Sequence, residues 1–278
     1  MYENLISPGE LLALQHEGKC RLIDCRYNLA DLGAGKREYL ESHAPGAVFA
    51  DLHDQLSGPP LTDHGRHPLP GPQRLDEVFR ELGINNDTQV IAYDASSGAF
   101  AARLWWLLRY MGHRKVAVLD GGWQAWVKAG GATEAGEVQV EPGAFQGEAR
   151  PDRVVLIDQV ESVPLLVDSR EASRYRGEEE PIDPHAGHIP GARNRCWKDN
   201  IIENGDFAPP AQLLQEFHSL FDGENPANVV FYCGSGVSAC HNLLAADRAG
   251  LPEGRLYAGS WSEWCRDPAR PRAQSVEE

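Results

Sequence analysis

One segment of the chain combines a nucleophile with a place to hold an anion: Val229-Val230-Phe231-Tyr232-Cys233-Gly234-Ser235-Gly236-Val237-Ser238-Ala239-Cys240-His241. An apolar run, expected to be a buried strand, ends at Cys233. A loop of small residues follows, then an expected helix from Ser238 to Ala249, closed by Gly250. Glycines and serines let such a loop curl with its amide N–H groups inward, and a helix N-terminus adds partial positive charge. A cysteine at the centre of an anion cradle is favoured as the thiolate at neutral pH. Two chemistries use that arrangement. Phosphate-ester cleavage needs an arginine, in the pattern Cys-x5-Arg, to grip the phosphate; that position is Ala239, and the loop carries no Arg or Lys. Sulfur transfer needs a thiolate and a cradle for the resulting persulfide, which small neutral residues suit. Gly234, Gly236, Val237 and Ser238 are then the candidate cradle contacts.

The elements that must position this loop follow from a repeat. Leu22-Ile23-Asp24-Cys25-Arg26 recurs as Leu166-Val167-Asp168-Ser169-Arg170, and His43-Ala44-Pro45-Gly46-Ala47 as His188-Ile189-Pro190-Gly191-Ala192. Val90-Ile91-Ala92-Tyr93-Asp94 recurs as Val229-Val230-Phe231-Tyr232-Cys233, and Trp123 and Trp126 as Trp261 and Trp264. The order is kept at an offset near half the length, too long for a solenoid, so it predicts a duplicated domain. The join falls in the Gly-, Pro- and Glu-rich stretch 130–152, giving domains 1–140 and 141–278. Ser7-Pro8-Gly9-Glu10 is a capping box opening a helix over Leu11–His16. Strands are expected at 21–25, 89–93 and 116–119, and helices at 72–82, 99–111 and 123–129. The second half copies the pattern, with strands at 165–168, 229–232 and 255–257. Short apolar strands alternating with helices predict an α/β fold, each domain a mainly parallel sheet flanked by helices. Ligands of such sheets bind beyond the carboxyl ends of strands, which directs attention to Asp94 and Cys233.

Composition narrows the partners. The 278 residues carry 26 Lys and Arg against 41 Asp and Glu, a net charge of −15 that disfavours nucleic acid and anionic membrane as partners. No apolar run is long enough to span a membrane. Glu3, Glu10 and Glu17 near the N-terminus, without a basic segment leading into an apolar one, speak against a secretory signal. Six cysteines are too sparse for a disulfide scaffold, so free thiols in a reducing cytoplasm are expected.

Over essentially its whole length the chain resembles the tandem-domain sulfurtransferases of the rhodanese family. Cys233-Gly234-Ser235-Gly236-Val237-Ser238-Ala239 is similar to the Cys-Gly-Ser-Gly-Val-Thr-Ala loop of 3-mercaptopyruvate sulfurtransferases, with Ser238 for Thr. The thiosulfate-using relatives typically have Cys-Arg-Lys-Gly-Val-Thr-Ala, and Gly234 and Ser235 replace those two basic residues. His188–Ala192 and Gly259-Ser260-Trp261-Ser262-Glu263-Trp264 also match family signatures. The resemblance implies two rhodanese-like domains, with the first, carrying Asp94 at the cysteine position, non-catalytic. It implies an active site between the domains, with the second supplying Cys233. It implies double displacement: sulfur passes from 3-mercaptopyruvate to Cys233, pyruvate leaves, and a thiol, cyanide or thioredoxin-like dithiol takes the sulfur. No metal or organic cofactor is implied. Thiosulfate is the alternative donor, and a non-catalytic binding module is the alternative from another class, disfavoured by an intact Cys233.

The resemblance also proposes partners for the cysteine. Arg174, in Arg174-Tyr175-Arg176-Gly177, matches the arginine that binds the substrate carboxylate, a task its fork of donors suits; Arg176 is a second candidate. The mercaptopyruvate enzymes usually carry another arginine nine residues on, where this chain has Asp183. His67 matches a histidine that works with the loop serine, Ser235, as a proton relay, which could protonate a pyruvate enolate. Arg66 beside it is a candidate cation. The relay's carboxylate has no clean counterpart: its place holds His53, flanked by Asp51 and Asp54. Cys240 and His241 lack zinc-ligand spacing and are expected to pack. Asp24 and Asp168 recur in both halves and are expected to serve the fold, as are the tryptophans.

Overall fold

In a computed structural model the described residues are 1–274 except 17, 19 and 60–63; Glu17, part of the acidic N-terminal pattern, lies outside them. The elements in chain order are β1 (Leu5–Ile6), α1 (Pro8–His16), β2 (Cys20–Asp24), α2 (Ala34–Glu41), β3 (Val48–Phe49), α3 (Pro72–Glu81), β4 (Gln89–Tyr93), α4 (Ala101–Tyr110), β5 (Val116–Leu119) and α5 (Gly122–Lys128). Then come β6 (Leu165–Asp168), α6 (Ala172–Arg176), β7 (Arg193–Asn194), α7 (Pro210–Phe221), β8 (Val229–Tyr232), α8 (Ala239–Arg248), β9 (Arg255–Leu256) and α9 (Ser260–Trp264).

The chain forms two compact units. The first comprises Met1–Gly58, Pro70–Arg150 and Glu203–Phe207. Its sheet is parallel in the order β1-β5-β4-β2-β3. Strand β4 lies at the centre and is buried along its whole length, as parallel strands covered on both faces must be. The capping box forms as expected: the Ser7 N–H and hydroxyl both donate to the Glu10 carboxylate, and the Glu10 N–H donates to the Ser7 hydroxyl. Helix α3 starts on Pro72 and buries Leu75, Val78 and Phe79, one helical face. Helix α4 is buried all round, and Arg103 within it donates from Nε to the Leu56 carbonyl.

The second unit comprises Pro59–Leu69, Pro151–Ile202 and Ala208–Glu278. Residues 64–69, from the first half of the sequence, therefore belong to the second unit. Its sheet is parallel in the order β7-β6-β8-β9, with β8 fully buried. The core is built from Val155, Val160, Leu166, Ile189, Val230, Tyr232, Tyr257, Trp261 and Trp264.

Both units repeat one buried device. Arg26 grips Asp24 through Nε and Nη2, gives Nη2 also to the Ser42 carbonyl and covers Trp123, with 4.9 Å between Cζ and the ring centroid. Arg170 does the same with Asp168, the Gly187 carbonyl and Trp261, at 4.8 Å. A buried ion pair this fully hydrogen-bonded fastens the end of β2 or β6 to the segment preceding the next strand. Asp24 and Asp168 are accordingly fold residues.

Strands at 89–93, 116–119, 165–168 and 229–232 lie where expected, while the helices expected at 99–111 and 238–249 are a residue or two shorter at each end. Among the described residues no helix is long and apolar enough to cross a membrane.

Candidate active site

The candidate site lies within the second unit, where β8 ends at Cys233 and α8 begins at Ala239. Cys233 is 2% exposed. Its backbone is held by the first turn of α9: the Cys233 N–H donates to the Ser260 hydroxyl, the Trp261 N–H to the Cys233 carbonyl and the Ser262 N–H to the Gly234 carbonyl. Gly236 turns the loop at φ 75°, where a Cβ would sit 2.3 Å from the Ala258 carbonyl oxygen. The N–H groups of Gly234, Ser235, Val237 and Ser238 have no protein acceptor among the described residues.

The first unit shows what such a loop binds. Asp94 stands where Cys233 stands in the repeat, and its buried carboxylate fills its own loop. Oδ1 accepts from the N–H groups of Ser96 and Gly98 at 2.7 and 2.9 Å; Oδ2 accepts from those of Phe100 and Ala101, both at 2.8 Å. Burial pushes the Asp94 carboxyl up, and these four donors pull against it. The β4–α4 loop is therefore an anion cradle with an internal anion. The β8–α8 loop is its counterpart with a thiol at the strand end.

Residues 64–67 are fastened beside Cys233 by the same turn of α9. The Arg66 N–H donates to the Ser262 hydroxyl at 3.0 Å, and Arg266 donates to the His64 carbonyl. This brings His67 Nδ1 to 2.8 Å from the Ser235 hydroxyl, with both residues buried. His67 and Ser235 thus meet across a long separation in sequence.

Arg66 and Arg174 meet at Gly234. A Cβ there would lie 2.9 Å from Arg66 Nη2 and 3.6 Å from both terminal nitrogens of Arg174, so glycine lets the two guanidinium groups come down on the loop. Neither stands alone. Arg66 Nη1 pairs with Asp183 Oδ1, and Arg174 Nη2 lies 3.4 Å from Asp183 Oδ2. Arg174 also binds Glu180, through Nη2 at 2.6 Å and Nε at 3.2 Å, and Glu180 in turn pairs with Arg170 at 3.2 Å. A row of alternating charge runs from Asp168 through Arg170, Glu180, Arg174 and Asp183 to Arg66. Burial raises Asp183, with the Arg66 guanidinium pulling against it. Burial works on Glu180 too, but the hydrogen bond from Arg174 and two backbone N–H groups hold it below the ordinary glutamate value.

The other candidates fall elsewhere. Arg176 engages Glu178 at 2.6 and 2.9 Å. Asp51 caps a turn in the first unit, accepting from the N–H groups of His53 and Asp54. Cys240 donates to the Gly236 carbonyl, and His241 is buried against Asn200 and Trp197, so both pack as expected. Burial pushes the thiols of Cys20 and Cys265 up to about 11 and that of Cys25 well above its ordinary value, which keeps them protonated and inert. Ser260 and Glu180 were not among the expected site residues. For Ser260 a signal exists: Gly121-Gly122-Trp123 becomes Gly259-Ser260-Trp261 in the second copy.

The rhodanese-like domain model matches the chain twice, over residues 7–129 and 154–267. A Pseudomonas aeruginosa protein named as a probable 3-mercaptopyruvate sulfurtransferase is 49% identical, over 97% of this chain and 97% of its own. The thiosulfate sulfurtransferase of Rattus norvegicus is 33% identical, over 96% and 93%. Among solved structures, the 3-mercaptopyruvate sulfurtransferase of Leishmania major superposes with a TM-score of 0.86 at 29% identity, covering 95% of this chain and 74% of that one.

Proposed function

Because the chain belongs to the rhodanese family of sulfurtransferases, we propose that it moves sulfur from 3-mercaptopyruvate to a thiophilic acceptor through a persulfide on Cys233, releasing pyruvate. The observation that carries this reading is the pair of loops. One copy keeps four amides on the carboxylate of Asp94; in the other, beside a cysteine, the N–H groups of Gly234, Ser235, Val237 and Ser238 have no protein acceptor among the described residues. A persulfide anion on Cys233 would meet the same kind of donors that Asp94 meets.

The steps follow from the residues. The Cys233 thiolate attacks the sulfur of 3-mercaptopyruvate; the S–S bond forms and the C–S bond breaks, its electron pair passing to the methylene carbon. Arg174, with Arg66, holds the substrate carboxylate. The pyruvate enolate takes a proton through Ser235 and His67, whose 2.8 Å contact supports the relay. The persulfide then loses its own proton, and a nucleophile such as cyanide, a small thiol or a thioredoxin-like dithiol takes the outer sulfur, restoring the thiolate. Gly234, Gly236, Val237 and Ser238 shape the cradle; Arg176 is left with an outer role in drawing anions. The neutral Gly234-Ser235 pair favours mercaptopyruvate over thiosulfate, the second reading.

The acidic chain supports small-molecule donors and thiol acceptors rather than nucleic acid or a membrane surface as partners. Six cysteines, none in a disulfide, support the cytoplasm as its compartment. The test is thiocyanate formation from cyanide with each donor, alongside Cys233→Ser. The reading expects a higher kcat/KM with mercaptopyruvate and no turnover in Cys233→Ser. A higher value with thiosulfate would replace the donor, and activity retained without Cys233 would remove the covalent route.

A further inference from the structure

The row of alternating charge ends on the loop that presents Cys233, and its next-to-last member is an acid. Asp183 is 2% exposed in its side chain, and each carboxylate oxygen faces a different guanidinium. Those two guanidinium groups are the cations that flank Gly234. Three arginines in the row, Arg170, Arg174 and Arg66, are matched by three carboxylates, Asp168, Glu180 and Asp183. The site therefore carries forked donors without net positive charge from this row. Forked donors recognise a carboxylate by shape; an excess of positive charge would instead reward whichever donor carries more negative charge. Asp183 removes that reward.

We propose that Asp183 is a specificity-determining residue, which balances Arg66 and Arg174 so that the site selects singly charged organic sulfur donors over inorganic dianions such as thiosulfate. This rests on the sulfurtransferase reading above and names the substrate class of that same site. An unscreened negative charge near the donor repels a dianion with twice the energy it exerts on a monoanion. Removing it therefore raises kcat/KM for the dianion by roughly the square of the factor gained by the monoanion.

Asp183→Asn keeps the shape and removes the charge. If it raises kcat/KM for mercaptopyruvate about threefold, it raises that for thiosulfate about tenfold, by the same proportionality. The ratio of the two donors must move toward thiosulfate. An unmoved ratio, or a shift toward mercaptopyruvate, overturns the proposal; an equal loss with both donors would make Asp183 a holder of the arginines only. Asp183→Ser carries the same expectation should the asparagine variant fold poorly, which its melting temperature reports. A second measurement is independent of turnover. In a Cys233→Ser background, calorimetric binding of thiosulfate and of pyruvate is compared with and without Asp183→Asn. Thiosulfate affinity must gain more than pyruvate affinity. Equal gains overturn the charge argument even if neither donor is turned over, whereas inactivity of the unaltered chain with both donors counts against the sulfurtransferase reading alone.

Discussion

The hydroxyl of Ser260 accepts the backbone N–H of Cys233 at 3.1 Å while its own residue sits in the left-handed region, at φ 57°. The same hydroxyl donates to the Tyr257 carbonyl at 3.0 Å. In the first unit the equivalent position is Gly122, at φ 59°, where that conformation is free of a Cβ penalty. A side chain there costs about 1 kcal/mol or somewhat more. The copy with the cysteine carries that strain and gains a buried acceptor for its N–H.

This arrangement separates stability from activity. Ser260→Ala keeps the strain and loses both hydrogen bonds, so it should destabilise by about 1–3 kcal/mol. Ser260→Gly also loses the bonds but relieves the strain, so it should be more stable than the alanine variant by about 1 kcal/mol. Turnover should fall in both to a similar degree, because the cysteine's backbone has lost its partner in both. Urea titrations and steady-state rates check the two orderings; activity that tracks stability would make Ser260 a fold residue only.

The contact between His67 and Ser235 predicts a step-specific defect. His67→Ala and Ser235→Ala should each slow sulfur loading from mercaptopyruvate, on the order of a hundredfold. The double variant should be little worse, since the pair acts as a unit. Discharge of a preformed persulfide by cyanide makes no enolate and should keep its rate. Rapid-mixing measurements of loading and discharge separate the two, and an equal loss in both steps would count against a proton relay.

Arg174 offers a test of geometry against charge. Arg174→Lys keeps the charge and loses the fork that reaches Glu180 through two nitrogens. We expect KM for mercaptopyruvate to rise about tenfold or more, with kcat less affected, since a charge-assisted hydrogen bond contributes roughly 1.5–3 kcal/mol. A lysine variant with an unchanged KM would place carboxylate binding elsewhere.

Glu180 gives the acid side of the stability profile. Its carboxyl is held below the ordinary value in the folded chain, so on acidification the unfolded state takes up the proton first. Its contribution is fully present above the ordinary glutamate range and is lost as pH falls through the lower folded value. Glu180→Gln should melt lower at neutral pH, with the difference from the parent shrinking as the solution is acidified. Melting curves between neutral and strongly acidic pH check this, and a constant difference would refute it.

How much of this was legible depended on the kind of contact. Strands β4, β5, β6 and β8 are continuous apolar runs, and burial on both faces writes itself into the sequence. The two-residue strands β3 and β7 have no pattern to read, and α2 buries only Gly35 and Tyr39. Cys233 and its loop were legible because a nucleophile, a tight turn and a helix start are neighbours in sequence. The row of charges was not: Arg66 and Asp183 are joined through the fold, across more than a third of the chain. Each arginine of the row meets a carboxylate, and the pairing of Arg66 with Asp183 leaves no local pattern in the sequence.

The two loops also differ in how their stability is linked to solution. Asp94 is a ligand that cannot dissociate, so the first unit holds its full complement of bonds at any anion concentration. On the proposed function the Cys233 loop takes its anion from solution, and its unit gains stability as RT ln(1 + [L]/Kd). Added thiosulfate or pyruvate should therefore raise one melting transition and leave the other where it was. In one copy the loop is closed by a tethered carboxylate, and in the other a thiol stands in its place.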